Sequence, residues 1–169
     1  DVAHFFAYPN EQALRPINLH AEHGELIGIM GASGSGKSTL LNILNGSAPP
    51  TFGRVALNGK SIHDFPEFAA GSIGHIAQED VLIAELCVRD NLRYSAALSL
   101  GHLDEESIDI QVDQMLKRLG LWEIRFLRVG SVMDKTISGG QRKRVNIALE
   151  LIREPLVLFV DEPTSGLSS

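Results

Sequence analysis

The stretch from Gly31 to Ser38 has the spacing of a phosphate-binding loop, GxxxxGK followed by serine or threonine. Gly31, Gly34 and Gly36 are expected to take positive φ values and turn backbone N–H groups toward an anion, and the following helix adds its positive end. The Lys37 ammonium can reach the β- and γ-phosphates of a nucleotide, and the Ser38 hydroxyl can coordinate Mg²⁺. The predicted phosphate-binding residues are Gly31, Ala32, Ser33, Gly34, Ser35, Gly36, Lys37, Ser38 and Thr39.

A pair of acids follows the apolar run from Leu156 to Val160. Asp161 is expected to orient Mg²⁺ through water, and Glu162 to polarise an attacking water as general base. A strand that ends in two solvated acids is the alternative. The phosphate loop in the same chain favours the catalytic interpretation, because the two motifs together supply groups for the phosphates, for Mg²⁺ and for the attacking water.

A second candidate anion site lies at the N-terminus of another predicted helix. It consists of Ser138 and the N–H groups of Gly139 and Gly140, with Gln141 beside them. A serine helix cap followed by glycines explains the same residues without a ligand. The chain already has one predicted phosphate site, the loop from Gly31 to Ser38. A second site makes sense if it binds a γ-phosphate that another subunit holds.

The hydrophobic pattern predicts an α/β layout that can position these groups. The predicted strands are Val2 to Phe6, Ile17 to Ala21, the buried run Leu26 to Met30, Arg54 to Leu57 and Leu156 to Val160. The predicted helices run from about Ser38 to Asn45, from Asp104 to Leu119 and from Gln141 to Arg153. Asn58 and Gly59 have the composition of a tight turn. Residues from about 80 to about 136 are expected to form a mostly helical insert in an α/β core.

Length, charge and composition limit which classes of function the chain can have. A length of 169 residues suggests one domain, and a net charge of −6 argues against nucleic acid as the main partner. Cys87 is the one cysteine, so no internal disulfide can form and a reduced, cytosolic setting fits. No apolar run is long enough to span a bilayer, and the first residues do not resemble a signal peptide. Work at a membrane would need a membrane part supplied from elsewhere.

The Ser138 to Gln141 motif, followed shortly by the acidic strand end, resembles the signature and Walker B segments of ABC ATPases. That resemblance implies a P-loop NTPase core with an N-terminal antiparallel β part and a helical insert that carries the signature. It implies one domain over 1–169, whose helical part is about 80–136 plus the signature helix from 138. Gln78 resembles the Q-loop glutamine that touches Mg²⁺. Tyr8 resembles the aromatic that stacks on adenine, with a turn or core tyrosine as the alternative.

Residues 78–98 and 137–152 look like the G subfamily of ABC proteins, the white-pigment, multidrug and sterol exporter type, and its bacterial relatives. The basic run from Arg142 to Arg144 is typical of that group, although a solvated helix face explains it equally well. Ser168 stands where ABC proteins usually carry aspartate, which puts coupling between subunits in doubt. The switch histidine belongs beyond Ser169. In ABC proteins, as the resemblance implies, the next strand separates Leu26–Met30 from Leu156–Val160, and the chain is expected to lack it. Both predicted strands would then have unpaired edges. The isolated chain is expected to have negligible ATPase activity.

The resemblance implies that two cassettes pair head to tail around Mg-ATP and hydrolyse it to drive a fused or separate transmembrane exporter domain. The γ-phosphate would lie between Lys37 and Gln78 of one subunit and Ser138 of the other. The expected location is the cytoplasmic face of a membrane. Two alternatives remain: a soluble ABC ATPase without transport, and a regulatory cassette with little turnover, which Ser168 keeps open. The cargo cannot be inferred from these residues.

Overall fold

The computed structural model describes residues 2–3, 14–76, 81–131 and 136–161. The chain divides into two compact units, 1–73 and 74–169. The phosphate loop belongs to the first unit, and the signature motif and Asp161 belong to the second.

The first unit combines short antiparallel strands with two helices. Its elements are β1 (Val2–Ala3), α1 (Lys37–Leu44), β2 (Phe52–Gly53), β3 (Ala56–Leu57), β4 (Lys60–Ser61) and α2 (Pro66–Ser72). β1 pairs with β2, and β3 pairs with β4. The turn between β3 and β4 has Asn58 at φ 49° and Gly59 at φ 80°, which confirms the tight turn predicted there. Leu14, Leu40 and Ile43 form the buried core under α1.

The segment from Leu26 to Met30 corrects a prediction. It forms no strand, and Leu26 and Met30 are 99% and 94% exposed. Ile17 to Ala21 likewise contributes only a bridge at Ile17. A buried parallel strand depends on strands beside it and helices on both faces, and no strand within the described ranges pairs with residues 26–30. The apolar run therefore has the composition of a central strand without the partners that would bury it.

The second unit is mostly helical. Its elements are β5 (Ile73–Ile76, which begins one residue before the unit boundary), α3 (Val88–Ser99), α4 (Glu105–Arg118), a 3₁₀ turn (Trp122–Ile124), α5 (Gly139–Leu151) and β6 (Val157–Val160). α3 packs against both α4 and α5, and β5 pairs with β6. α4, α5 and β6 confirm the predicted helices and strand within a few residues.

Local signals explain why α4 forms where it does. The Asp104 carboxyl accepts the Ser107 N–H at 2.8 Å, which caps the helix. Hydrogen bonds from the Ser107 side chain and from its backbone N–H lower the pKa of Asp104. Acids occupy the first turn and bases the last, as the helix dipole favours. The apolar stripe that includes Val112 and Leu116, both fully buried, joins the core shared with α3 and α5.

Cys87, the residue directly before α3, caps the N-terminus of that helix. Its sulfur accepts the Asp90 N–H at 3.3 Å. The side chain is half-buried, and this burial, together with the Asp90 side chain, raises the pKa of the thiol. The thiol is therefore held in its protonated, weakly nucleophilic form near neutral pH.

Candidate functional site

The phosphate loop takes the backbone conformation that its glycines predict at two positions. Gly34 has φ 77°, and Gly36, the residue that caps α1, has φ 90° and ψ 11°. The turn from Ala32 to Ser35, which contains Gly34, is closed by the Ser35 N–H, which donates to the Ala32 carbonyl at 3.2 Å. Any side chain at these two glycines would sit on a left-handed backbone, so the loop shape depends on them.

Gly31 serves a different purpose from the one expected. Its φ is not in the left-handed region; a Cβ added there would instead meet the Ser35 hydroxyl oxygen at 2.6 Å. A side chain at this position would therefore displace the Ser35 hydroxyl from where it lies in the loop. The prediction that all three glycines supply positive φ is wrong for Gly31.

Lys37 begins α1 and turns its ammonium back over the loop. Its Nζ donates to the carbonyls of Gly31 at 2.9 Å and Ala32 at 2.8 Å. Ser38 and Thr39 follow in the first turn of the helix, where Ser38 is exposed and Thr39 half-buried. The cation, the helix N-terminus and the Ser38 hydroxyl thus belong to one short segment, which has the elements of an anion site.

Asp161 lies at the end of β6, beside the end of β5. Its N–H donates to the Ile76 carbonyl at 3.0 Å, so the residues just past both strands leave the pair from the same end. Gln78 follows Ile76 after one residue, and Glu162 follows Asp161 directly. Gln78, Glu162 and Tyr8 lie outside the described residues.

The signature motif forms the N-terminus of α5. The Ser138 hydroxyl accepts the Gln141 N–H at 3.2 Å, and the Gln141 side chain accepts the Ser138 N–H at 2.7 Å, which makes a reciprocal capping box. The N–H groups of Gly139 and Gly140 occupy first-turn positions where an α-helix offers no backbone acceptor. The helix-cap alternative therefore describes the serine correctly, and the same geometry presents two glycine N–H groups for an anion.

Arg142 does not fit the solvated-face alternative that the sequence left open. It is buried, at 8% exposed, and its guanidinium donates to the carbonyls of Val129 at 3.2 Å and Gly130 at 2.6 Å. The solvated-face interpretation fits Arg144, which is exposed, but not Arg142. The missed signal is spacing: Arg142 lies three and four residues before the buried Val145 and Asn146, on the core-facing side of α5.

Removing Arg142 is expected to destabilise the chain. Arg142→Met keeps much of the apolar bulk but leaves two carbonyls without their charged donor, which costs about 2 to 3 kcal/mol of unfolding free energy. Urea unfolding followed by circular dichroism measures the change. Arg144→Met, on the exposed side of the same helix, is the matched control and should remain close to the parent. Equal stability of the two variants would contradict the bracing role of Arg142.

Each of the two units carries one predicted oxygen donor for Mg²⁺. Ser38 offers a hydroxyl and Asp161 a carboxylate, both hard ligands of the kind that Mg²⁺ uses together with water and substrate phosphates. Among the described residues, no group of three or more His, Cys, Asp or Glu side chains could form a metal site of their own.

The comparisons with known proteins agree with these motifs. The ABC transporter family profile matches residues 14–165. The chain is 41% identical over 160 residues to ABC transporter G family member 1 of Petunia hybrida, which covers 92% of this chain and 25% of the relative. It is 41% identical over 164 residues to ABC transporter G family member 13 of Arabidopsis thaliana, covering 94% and 24%.

A fungal relative, the ABC-type transporter claG of Penicillium crustosum, is 41% identical over 147 residues, covering 86% of this chain and 20% of the relative. The chain thus spans a quarter or less of the length of these three relatives. Within the described ranges, no helix combines the length and apolar character that crossing a bilayer requires. The profile match and the plant and fungal relatives show that this chain belongs to the ABC transporter family.

Proposed function

We propose that this chain binds Mg-ATP and, paired with a second cassette, hydrolyses it to drive an exporter-type membrane domain. The observation that carries the proposal is the loop before α1, where left-handed Gly34 and Gly36 lead into a helix whose first residue, Lys37, sets its ammonium over the loop. This arrangement presents N–H groups, a helix N-terminus and a cation to one anion, and a nucleotide triphosphate suits it.

Each predicted site residue has a part in this proposal. Lys37 binds the β- and γ-phosphates, and Ser38, Gln78 and Asp161 hold the Mg²⁺ that accompanies them, directly or through water. Glu162 accepts the proton of the attacking water. Tyr8 stacks on adenine, which adds about 1 to 3 kcal/mol and discriminates weakly between purines. In this proposal 1–169 is one ABC ATPase domain, whose helical part is about 80–136 together with α5.

The second cassette completes the site. Ser138, Gly139, Gly140 and Gln141 of one subunit would meet the γ-phosphate held by Lys37 and Gln78 of the other. The support from the structure is the helix N-terminus at Ser138, which stands apart from the phosphate loop in the sequence and offers an anion site of its own. The proposed location is the cytoplasmic face of a membrane, beside a fused or separate exporter domain. The net charge of −6 argues against nucleic acid as a partner.

Ser138→Asp separates an anion site from a simple helix cap. Aspartate caps helices as well as serine does, so the fold of α5 should survive. Its carboxylate would repel the partner's γ-phosphate, so the dimer that forms with Mg²⁺ and a non-hydrolysable ATP analogue should be lost. Size-exclusion chromatography with light scattering measures the dimer.

Ser99→Asp, at an exposed position on α3, is the control for added charge and should still dimerise with the analogue. Thermal unfolding of both variants checks that the fold is kept. A Ser138→Asp variant that dimerises like the parent would show that Ser138 only caps the helix, and the head-to-tail arrangement would have to be abandoned.

A further inference from the structure

The segment that follows α4 exposes apolar and basic side chains together. Within residues 122–128, Phe126 is 69% exposed and Leu127 is 44% exposed. Residues 117–128 contain four basic residues and one acid, Glu123, which gives the segment a net charge of +3 in a chain whose net charge is −6. An exposed apolar pair among cations sets this surface apart from the rest of the chain.

The side chains of this surface stack as alternating cations and rings. The Lys117 ammonium, in the last turn of α4, lies 4.6 Å from the centre of the Trp122 ring. The Arg125 guanidinium lies 4.0 Å from the Trp122 ring and 4.5 Å from the Phe126 ring, and it donates to the Trp122 carbonyl at 2.7 Å. Both cations are thus held against apolar rings at the surface of the unit.

The positive charge of the segment is not neutralised from within the described part of the chain. Between residues that the structure describes, no ion pair involves a cation of 117–128. The nearest preceding acids of α4, Asp109 and Asp113, pair instead with Arg89 and Arg93 of α3 at 3.0 to 3.2 Å. The cations of 117–128 can therefore attract a negatively charged partner.

Backbone hydrogen bonds to α3 hold the segment in place. The first two N–H groups of α3 donate to it, Val88 to the Leu127 carbonyl at 3.0 Å and Arg89 to the Arg125 carbonyl at 2.8 Å. Donors at a helix N-terminus have no acceptor inside the helix, so these bonds satisfy groups that need a partner. A fixed backbone, tied to α3 on both sides of Phe126, therefore presents that ring to solvent.

We propose that residues 117–128 dock on the anionic surface of a phospholipid bilayer. Phe126 and Leu127 enter the boundary between headgroups and acyl chains, while Lys117 and Arg125 contact the phosphate and carboxylate groups of the headgroups. Binding to such a surface grows with the apolar area inserted and with the attraction to anionic lipid. A soluble anion offers the second contribution alone, so the exposed apolar pair favours a bilayer. This inference goes beyond the proposed function, because it places the cassette itself against lipid.

Trp122 is the one tryptophan of the chain, so its fluorescence reports on this surface. The full chain is mixed with vesicles of phosphatidylcholine, or of phosphatidylcholine and phosphatidylserine in equal parts. Anionic vesicles should move the Trp122 emission to shorter wavelengths, and co-sedimentation should show binding at least about tenfold tighter than to phosphatidylcholine alone. Glycerophosphoserine, the headgroup without acyl chains, should leave the emission unchanged.

Substitutions separate the apolar and the electrostatic contributions in the co-sedimentation assay. Phe126→Ser should weaken binding to anionic vesicles about tenfold, because less apolar area is inserted. Leu98→Ser, which changes an 89% exposed side chain near the other end of α3, should bind like the parent. Lys117→Gln should weaken binding about fivefold, the usual contribution of one cation near an anionic surface. Lys60→Gln is its matched control, because the Lys60 ammonium also lies over a ring, that of Phe68, at 5.1 Å.

The outcomes separate this inference from the proposed function. Equal binding to both kinds of vesicle, parent-like binding of Phe126→Ser, or an equal emission shift with glycerophosphoserine would overturn the docking surface. Circular dichroism checks the fold of each variant, and Lys117→Gln, at an exposed position, carries the test if Phe126→Ser does not fold. A chain that binds Mg-ATP but not anionic vesicles would overturn this inference alone. A chain that binds the vesicles but not Mg-ATP would overturn the proposed function alone.

Discussion

Lys37→Ala is expected to weaken ATP binding at least about a hundredfold, since each lost hydrogen bond from a charged group costs about 1.5 to 3 kcal/mol. The ammonium now bonds to the carbonyls of Gly31 and Ala32, which places it over the loop that would receive the phosphates. Alanine removes the loop's side-chain cation while it retains the helix-forming character of the position. Isothermal titration calorimetry with Mg-ATP measures the loss.

Lys60→Ala is a suitable control, because Lys60 is exposed and its ammonium lies 5.1 Å from the Phe68 ring, at a position separate from the phosphate loop. It should bind ATP like the parent. Circular dichroism of both variants excludes loss of structure as the cause. Tight binding retained by Lys37→Ala would show that the nucleotide site lies elsewhere in the chain.

Glu162→Gln is expected to reduce ATP turnover by about two to four orders of magnitude, the usual contribution of a general base. Glutamine preserves the shape of the side chain but cannot accept the proton of the attacking water. ATP should therefore remain bound, and two cassettes should remain together when Mg-ATP is present. Phosphate release measures turnover in the protein that carries this cassette, and size-exclusion chromatography measures the trapped dimer.

Glu106→Gln changes an exposed glutamate of α4 in the same way and should leave turnover unchanged. Turnover undiminished in Glu162→Gln would move the general base to another residue. A dimer that is equally stable without nucleotide would contradict a shared γ-phosphate. Without nucleotide, no phosphate links one subunit to the helix N-terminus of its partner.

Elements with strong local signals were predictable from the sequence. α4 has its cap at Asp104, its acids and bases at the proper ends and its stripe through Val112 and Leu116, and each of these acts within a few residues. The Asn58–Gly59 turn is fixed by the left-handed preference of its own residues. The phosphate loop was recognisable for the same reason, since its spacing and its glycines are local.

Features that depend on distant partners were not predictable. The run from Leu26 to Met30 has a buried strand's composition, but burial depends on which strands lie beside it, and pattern alone does not supply them. For Arg142 the sequence left a solvated helix face open as an alternative, whereas its position on α5 makes it a core-facing donor to Val129 and Gly130. Gly31 was assigned a positive φ that it does not have, and its contact with the Ser35 hydroxyl arises only when the loop has folded.

The cap at the start of α3 has a practical consequence for spectroscopy. Cys87 is the one cysteine in the chain, its sulfur accepts the Asp90 N–H, and the raised pKa of its thiol keeps the reactive thiolate scarce near neutral pH. Maleimide or nitroxide reagents should therefore modify an exposed engineered cysteine, for example at Ser99 or Arg144, well before they modify Cys87. Paired probes could then measure distances across a nucleotide-bound dimer with the natural cysteine left in place.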